Sequence, residues 1–179
     1  FIFFFFYEWR IDNAMLNLRL LKSNRVFIYS NIATLINYSS TNAISYLLSL
    51  NLQYYGGLKP FNAGLVLFLQ PVVQAVFSPI AGRISDRIQP GKVASFGMGL
   101  TCAGILLLVL ETFHQDLSLI ILSLVVLGLG FAFFASPNTN AIMSAVDRRQ
   151  YGVASSTIAT MRTVGQVFSM GIVMSVFSL

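Results

Sequence analysis

Charge is the first thing this sequence lacks. Asp, Glu, Lys and Arg make up 9% of its 179 residues, where a soluble domain carries about a quarter. Hydrophobic residues reach 56%, and the mean hydropathy is +0.75. Such a chain reads as a polytopic membrane protein. Cysteine is nearly absent: the one thiol, Cys102, lies in an apolar run, cannot close an intrachain disulfide and reads as a small packing residue. The one histidine, His114, sits in a short acidic loop and reads as a solvated bystander. No metal-ligand cluster, nucleophile–base pair or phosphate-binding glycine loop appears, so an enzyme is not expected, nor a cofactor.

Carboxylates are missing from the apolar runs. Glu8, Asp12, Asp86, Glu111, Asp116 and Asp147 all fall at their edges. What remains is an all-α, polytopic membrane helical bundle of about five complete spans. They run from Val26 to about Leu50, Phe61 to about Ile84, Val93 to Leu110, Leu117 to about Ala135, and Tyr151 to Leu179. Each is long enough for a hydrocarbon core of about 30 Å. Phe1–Tyr7 reads as the tail of a preceding helix, without the basic start and small-residue cleavage site of a signal peptide. Both ends imply that the chain continues. Residues 8–25 read as an interfacial linker, which divides the sequence into 1–25 and a bundle over 26–179.

The net charge of +5 does not point to nucleic acid, because the cations cluster in short connections. Arg10, Arg19, Lys22, Arg25, Arg83, Arg87, Lys92, Arg148 and Arg149 fall on one side of the alternating spans and only Lys59 on the other. The positive-inside rule puts 8–25, 82–92 and 147–151 in the cytoplasm.

Polar residues inside the spans are few and patterned. Asn31, Thr34, Tyr38, Thr41 or Asn42, and Ser45 recur at three- and four-residue steps and form one stripe. Hydrogen bonding between helices and lining a cavity both fit it. Gln70 and Gln74 lie one turn apart beside Pro71 and Pro79, where a packing kink or a moving, cavity-facing helix would bend. Ser95, Gly99 and Ala103 form a ridge suited to close packing in a bland, peripheral span. Ser136 to Asn140 marks the end of the fourth span, with Asn138 and Asn140 at a pathway mouth or in a turn. In the last span Arg162, Gln166 and Ser169 share a face. Arg162 lies roughly 14 Å into the bilayer, where a charge needs water or a partner.

The densest basic stretch, Gly82 to Lys92, carries the resemblance. Gly82, Ile84, Asp86 and Arg87 match the first, third, fifth and sixth positions of Gly-x-Leu-a-Asp-Arg-x-Gly-Arg-Lys, the loop motif of the major facilitator superfamily. Gln89 replaces the family's second glycine. The run from Asn13 to Arg25 is similar to the linker before the carboxy-terminal half of fourteen-span drug:proton antiporters. Ser136–Asn140 followed by Gly152–Ser155 is similar to the junction of its tenth and eleventh core helices, and Thr160–Gln166 resembles its Arg-x-x-Gly-Gly segment.

The resemblance implies core helices seven to eleven, with the twelfth and the amino-terminal half absent. It implies proton-coupled efflux of amphipathic drugs or toxic compounds through the cell (plasma or inner) membrane by alternating access. The proton-carrying carboxylate would lie on the other half. Expected partners are a small-molecule substrate, the lipid bilayer and that half. The expected substrate pathway is Asn31, Tyr38, Asn42, Gln70, Gln74, Asn138, Arg162 and Gln166. Gly82, Arg83, Asp86 and Arg87 would form a latch that stabilises one rocking state. Asp86 would lack its main contact, which belongs to the other half. Facilitator-type uptake of another solute, or a structural or inactive membrane segment, are the alternatives.

Overall fold

The computed structural model describes residues 24–114 and 116–178, without the side chains of 113 and 114. The helix tail expected over 1–7, the linker expected over 8–25 up to residue 23, and the bystander role of the His114 side chain lie outside the described residues; Asn24 and Arg25 instead open the first helix. Six α-helices make up nearly all the rest: α1 Arg25–Tyr54, α2 Pro60–Leu67, α3 Leu69–Arg87, α4 Pro90–His114, α5 Leu117–Ser144 and α6 Tyr151–Phe177. A short 3-10 turn, Arg148–Gln150, precedes α6. The described chain has no strand. The fold is an all-helical bundle, as expected.

Length and composition alone qualify three stretches to cross a membrane: Pro60–Arg87, Pro90–Thr112 and Leu117–Ser144. The first joins α2 and α3 into one broken span. Pro71 explains the break, because its ring crowds the carbonyl four residues back, at Leu67, where α2 ends. The 30 residues of α1 and 27 of α6 are also long enough, but polar residues interrupt them.

The helices alternate in direction. Asn24 caps α1 by accepting from Val26 N–H at 3.0 Å and Phe27 N–H at 3.3 Å. Its Nδ2 donates to the Ala145 carbonyl at 2.7 Å, tying the start of α1 to the end of α5. At the opposite end Leu48, Leu52, Ala63, Ile120 and Leu124 form one apolar cluster. Gly57, with φ 63°, turns the chain from α1 into α2 there.

Glycines set how closely the helices approach α5, which is central. A Cβ on Gly128 would come within 2.7 Å of the Gln70 carbonyl oxygen, so α3 and α5 meet backbone to backbone. Gly130 stands equally close to Thr101 of α4. Gly97 of α4 lies against the backbone of Phe133 and Phe134. Pro137, inside α5, has no N–H for the Phe133 carbonyl, and α4 packs at that point. On the other flank, Gly165 of α6 faces the Leu35 carbonyl of α1 at 2.7 Å from its would-be Cβ, and Ala43 N–H donates to Ser169 Oγ at 2.9 Å.

Four expectations are corrected. The fourth span does not end at Ser136; α5 continues through Pro137 to Ser144, because surrounding helices hold a proline-containing helix together. The expected 82–92 loop shrinks to Ile88 and Gln89: Gly82, Arg83, Asp86 and Arg87 belong to α3, and Pro90 opens α4. Ser95, Gly99 and Ala103 are exposed. The packing ridge of α4 is Gly97, Thr101 and Gly104, the phase that meets α5. Cys102 is exposed rather than packed.

Candidate functional site

The polar stripe of α1 divides into two parts. Near the basic end of the bundle it turns toward its own backbone and α5. Asn31 Nδ2 donates to the Phe27 carbonyl at 2.8 Å, and Thr34 Oγ1 to the Ser30 carbonyl at 3.0 Å. Asn138 Nδ2 of α5 donates to Thr34 Oγ1 at 2.8 Å and to the Ser30 carbonyl at 3.2 Å. Asn31 and Asn138 are thus buried in the α1–α5 contact, with Asn31 1% exposed. Asn37, outside the expected stripe, is also buried, and Oδ1 of both Asn31 and Asn37 has no partner.

Halfway along, the stripe opens. The Tyr38 ring lies edge-on to Phe131 of α5, with centroids 6.1 Å apart and planes at 70°. On the other side the Arg162 guanidinium carbon sits 5.1 Å from the Tyr38 centroid. Tyr38, Phe131 and Arg162 each fall near the middle of their helices, α1, α5 and α6. Arg162 is exposed, and among the described residues it interacts with that ring alone. Gly165 and Ser169 hold the α6 backbone against α1, which is why Arg162, one turn earlier, reaches Tyr38. Gln166 and Asn42 are half-buried nearby in sequence, each one turn on from Arg162 and Tyr38. Gln70 and Gln74 are half-buried on α3. Gln70 meets α5 at Gly128, within about 4.5 Å of rise from Phe131.

At the basic end a cleft of about 460 Å³ opens between the α3–α4 connection, the end of α5 and Tyr151. Gly82 allows α3 to approach Ser136, whose Oγ would lie 3.2 Å from a Cβ there. Ser85 Oγ donates to the Gly82 carbonyl at 2.7 Å and accepts from Asn140 Nδ2 at 2.8 Å. The same amide stands 3.5 Å from Asp86 Oδ1, the outer limit of a hydrogen bond. Arg83, Asp86 and Arg87 are exposed. The Ser85–Asn140 contact was not read from the sequence. Its signal was the spacing of Ser136 and Asn140, one turn apart and complementary to the spacing of Gly82 and Ser85.

Glu111 departs from its expected loop position. It lies in the last turns of α4 and is 5% exposed. The edge of an apolar run does not mark the end of a helix, and this carboxylate is carried into the bundle.

These features define a membrane-embedded, multi-pass helical protein with an aromatic and cationic cluster at the middle of its helices. Residues 31–178 match the Major Facilitator Superfamily, and the chain belongs to that family, whose members here are transporters and not enzymes. It is 33% identical over 167 residues to the riboflavin transporter RibZ of Clostridioides difficile, covering 92% of this chain and 35% of RibZ. It is 26% identical over 176 residues to the multidrug resistance protein Stp of Mycobacterium tuberculosis, covering 98% of this chain and 32% of Stp. The uncharacterized transporter YebQ of Escherichia coli is 32% identical over 115 residues, 64% of this chain and 25% of YebQ. The chain therefore spans about a third or less of these curated relatives.

Proposed function

We propose that the protein containing this chain is a secondary active transporter that exports amphipathic small molecules in exchange for protons. Two bundles would rock about a mid-membrane site, and this chain would supply most of one bundle. The observation that carries the reading is the meeting of Tyr38, Phe131 and Arg162 at the middle of three helices. Aromatic faces beside a polar group suit broad, weakly specific binding. The likeness to Stp supports export. Asn42, Gln70, Gln74 and Gln166 line the path around that cluster. Asn31 and Asn138 shape it from behind, through the α1–α5 contact.

The cation-rich end faces the cytoplasm, in the plasma or inner membrane. There Gly82, Arg83, Asp86 and Arg87 act as a latch: Asn140 and Ser85 fix the end of α3, and Asp86, exposed and held only by a long contact to Asn140, can turn to a partner on the other bundle. The carboxylate that carries the proton belongs to that other bundle.

The likeness to RibZ favours a second reading, facilitated uptake of a heteroaromatic solute. One experiment separates the two. Cells expressing the complete gene are loaded with an amphipathic dye, and efflux is followed with and without a proton gradient. Gradient-dependent efflux supports exchange export. Gradient-independent equilibration favours the facilitator, and no movement of any solute sinks both.

A further inference from the structure

Resting on the transport reading, we propose that Arg162 and Tyr38 select an aromatic anion: a planar ring system carrying a carboxylate or similar oxyanion.

The argument starts from unused chemistry. A guanidinium offers five N–H donors in a rigid fork. Arg162 has no hydrogen bond or ion pair among the described residues, and one aromatic face beside it. A charge in the middle of a membrane helix is costly without a partner. A tyrosine face offsets only part of that, since a cation–π contact leaves the N–H donors unpaired. The N–H donors of Arg162 are open to a further partner.

The charges around it have one sign. Arg162 is the only charged residue of α6, and α1 has none after Arg25. Helix α5 has none between Asp116 and Asp147, which flank it at opposite ends. The acids of the neighbouring helices, Asp86 and Glu111, are likewise at opposite ends of the bundle. At this depth the described chain presents a positive field that repels a cation and attracts an anion.

Shape supplies the rest. Tyr38 is fixed by Phe131 in an edge-on pair and by Gly165, whose would-be Cβ lies 3.0 Å from Tyr38 Cβ. A planar solute can stack beside this pair while its oxyanion meets the guanidinium through two parallel N–H bonds. Gln166, one turn along α6, stands where an amide can accept or donate to a ring substituent.

The rival is an ion pair between Arg162 and a carboxylate elsewhere in the full-length protein. The test uses that protein, purified in nanodiscs, and two xanthene dyes of similar shape: carboxyfluorescein, an aryl carboxylate, and rhodamine 6G, a cation. Binding is read by fluorescence anisotropy. Arg162→Gln is expected to weaken carboxyfluorescein roughly tenfold or more and to leave rhodamine 6G unchanged or tighter. Arg162→Lys, which keeps the charge but loses the fork, is expected to fall between. Absence of carboxyfluorescein binding to the wild type overturns the proposal, as does equal loss of both dyes in Arg162→Gln, the signature of a structural ion pair. A protein that binds carboxyfluorescein through Arg162 but moves nothing keeps this inference and breaks the transport reading. One that exports rhodamine 6G without binding the anion does the reverse.

Discussion

Two halves of the bundle are built differently. Helices α3, α4 and α5 are joined by glycines meeting backbone: Gly97 on Phe133, Gly128 on Gln70, Gly130 on Thr101. Their contact is mostly apolar, with the Asn140–Ser85 hydrogen bond between α5 and α3 at the basic end. Helices α1 and α6 also approach at a glycine, Gly165 on Leu35, but carry polar residues along the seam: Ser169 accepts from Ala43, and Arg162 covers Tyr38. Away from the basic end, the first group packs through glycine and backbone. The second keeps polar atoms that lipid would penalise. A membrane helix retains such groups at a cost, and under the proposed function the difference separates support from site.

Substitutions can break or sharpen that division. The largest effect is expected in the support. Gly130→Leu forces a side chain into Thr101, where even a Cβ would stand 2.7 Å from the backbone N, and should cut the yield of folded full-length protein at least about tenfold by size-exclusion chromatography. Its control is Gly99→Leu, on the same pair of helices but with open space around it, which should leave the yield unchanged. A large effect at Gly99 would move the packing face of α4 and undo the comparison.

Next comes the site. Tyr38→Ala should leave folding intact and lower dye transport roughly tenfold, through loss of the cation–π and edge-on contacts. Tyr38→Phe keeps both rings in place and should retain most of the rate. Equal loss in the two variants would mean the hydroxyl, not the ring, matters.

The latch should show a smaller effect. Asn140→Ala removes the amide between Ser85 and Asp86 and should change the rate severalfold, with Asp86→Asn in the same direction. Unchanged transport and unchanged conformational populations in Asp86→Asn would rule the latch out. The smallest effect belongs to the α1–α5 seam: Asn138→Ala loses its bond to Thr34, about 0.6 kcal/mol for a typical bond between membrane helices. That is roughly threefold in the folded ratio, readable as a small shift in thermal midpoint.

The division was partly legible in the sequence. Polar residues at helical spacing marked α1 and α6 as unlike the rest, and the depth of Arg162 followed from counting residues. Its contact with Tyr38 did not, because spacing gives a face and not the neighbour that covers it. Gly97 and Gly99 differ only in phase, and the backbone of α5 decides which of them packs. Prolines were legible only in part: Pro71 breaks its span as expected, while Pro79 and Pro137 lie inside continuous helices, since the outcome depends on what surrounds the freed carbonyl. Glu111 and Asn140 were hidden for a related reason. Each lies where an apolar run thins out, and the helices continue past that point.

The central claim is that the α1–α6 seam faces the solute while the outer face of α4 meets lipid. Cysteine accessibility tests it most directly, in the full-length protein with its other cysteines removed, Cys102 included. Asn42→Cys should react with a water-soluble thiol reagent and be slowed by a bound, transported dye, while Gly99→Cys stays inert. Labelling at Gly99→Cys with none at Asn42→Cys would contradict it.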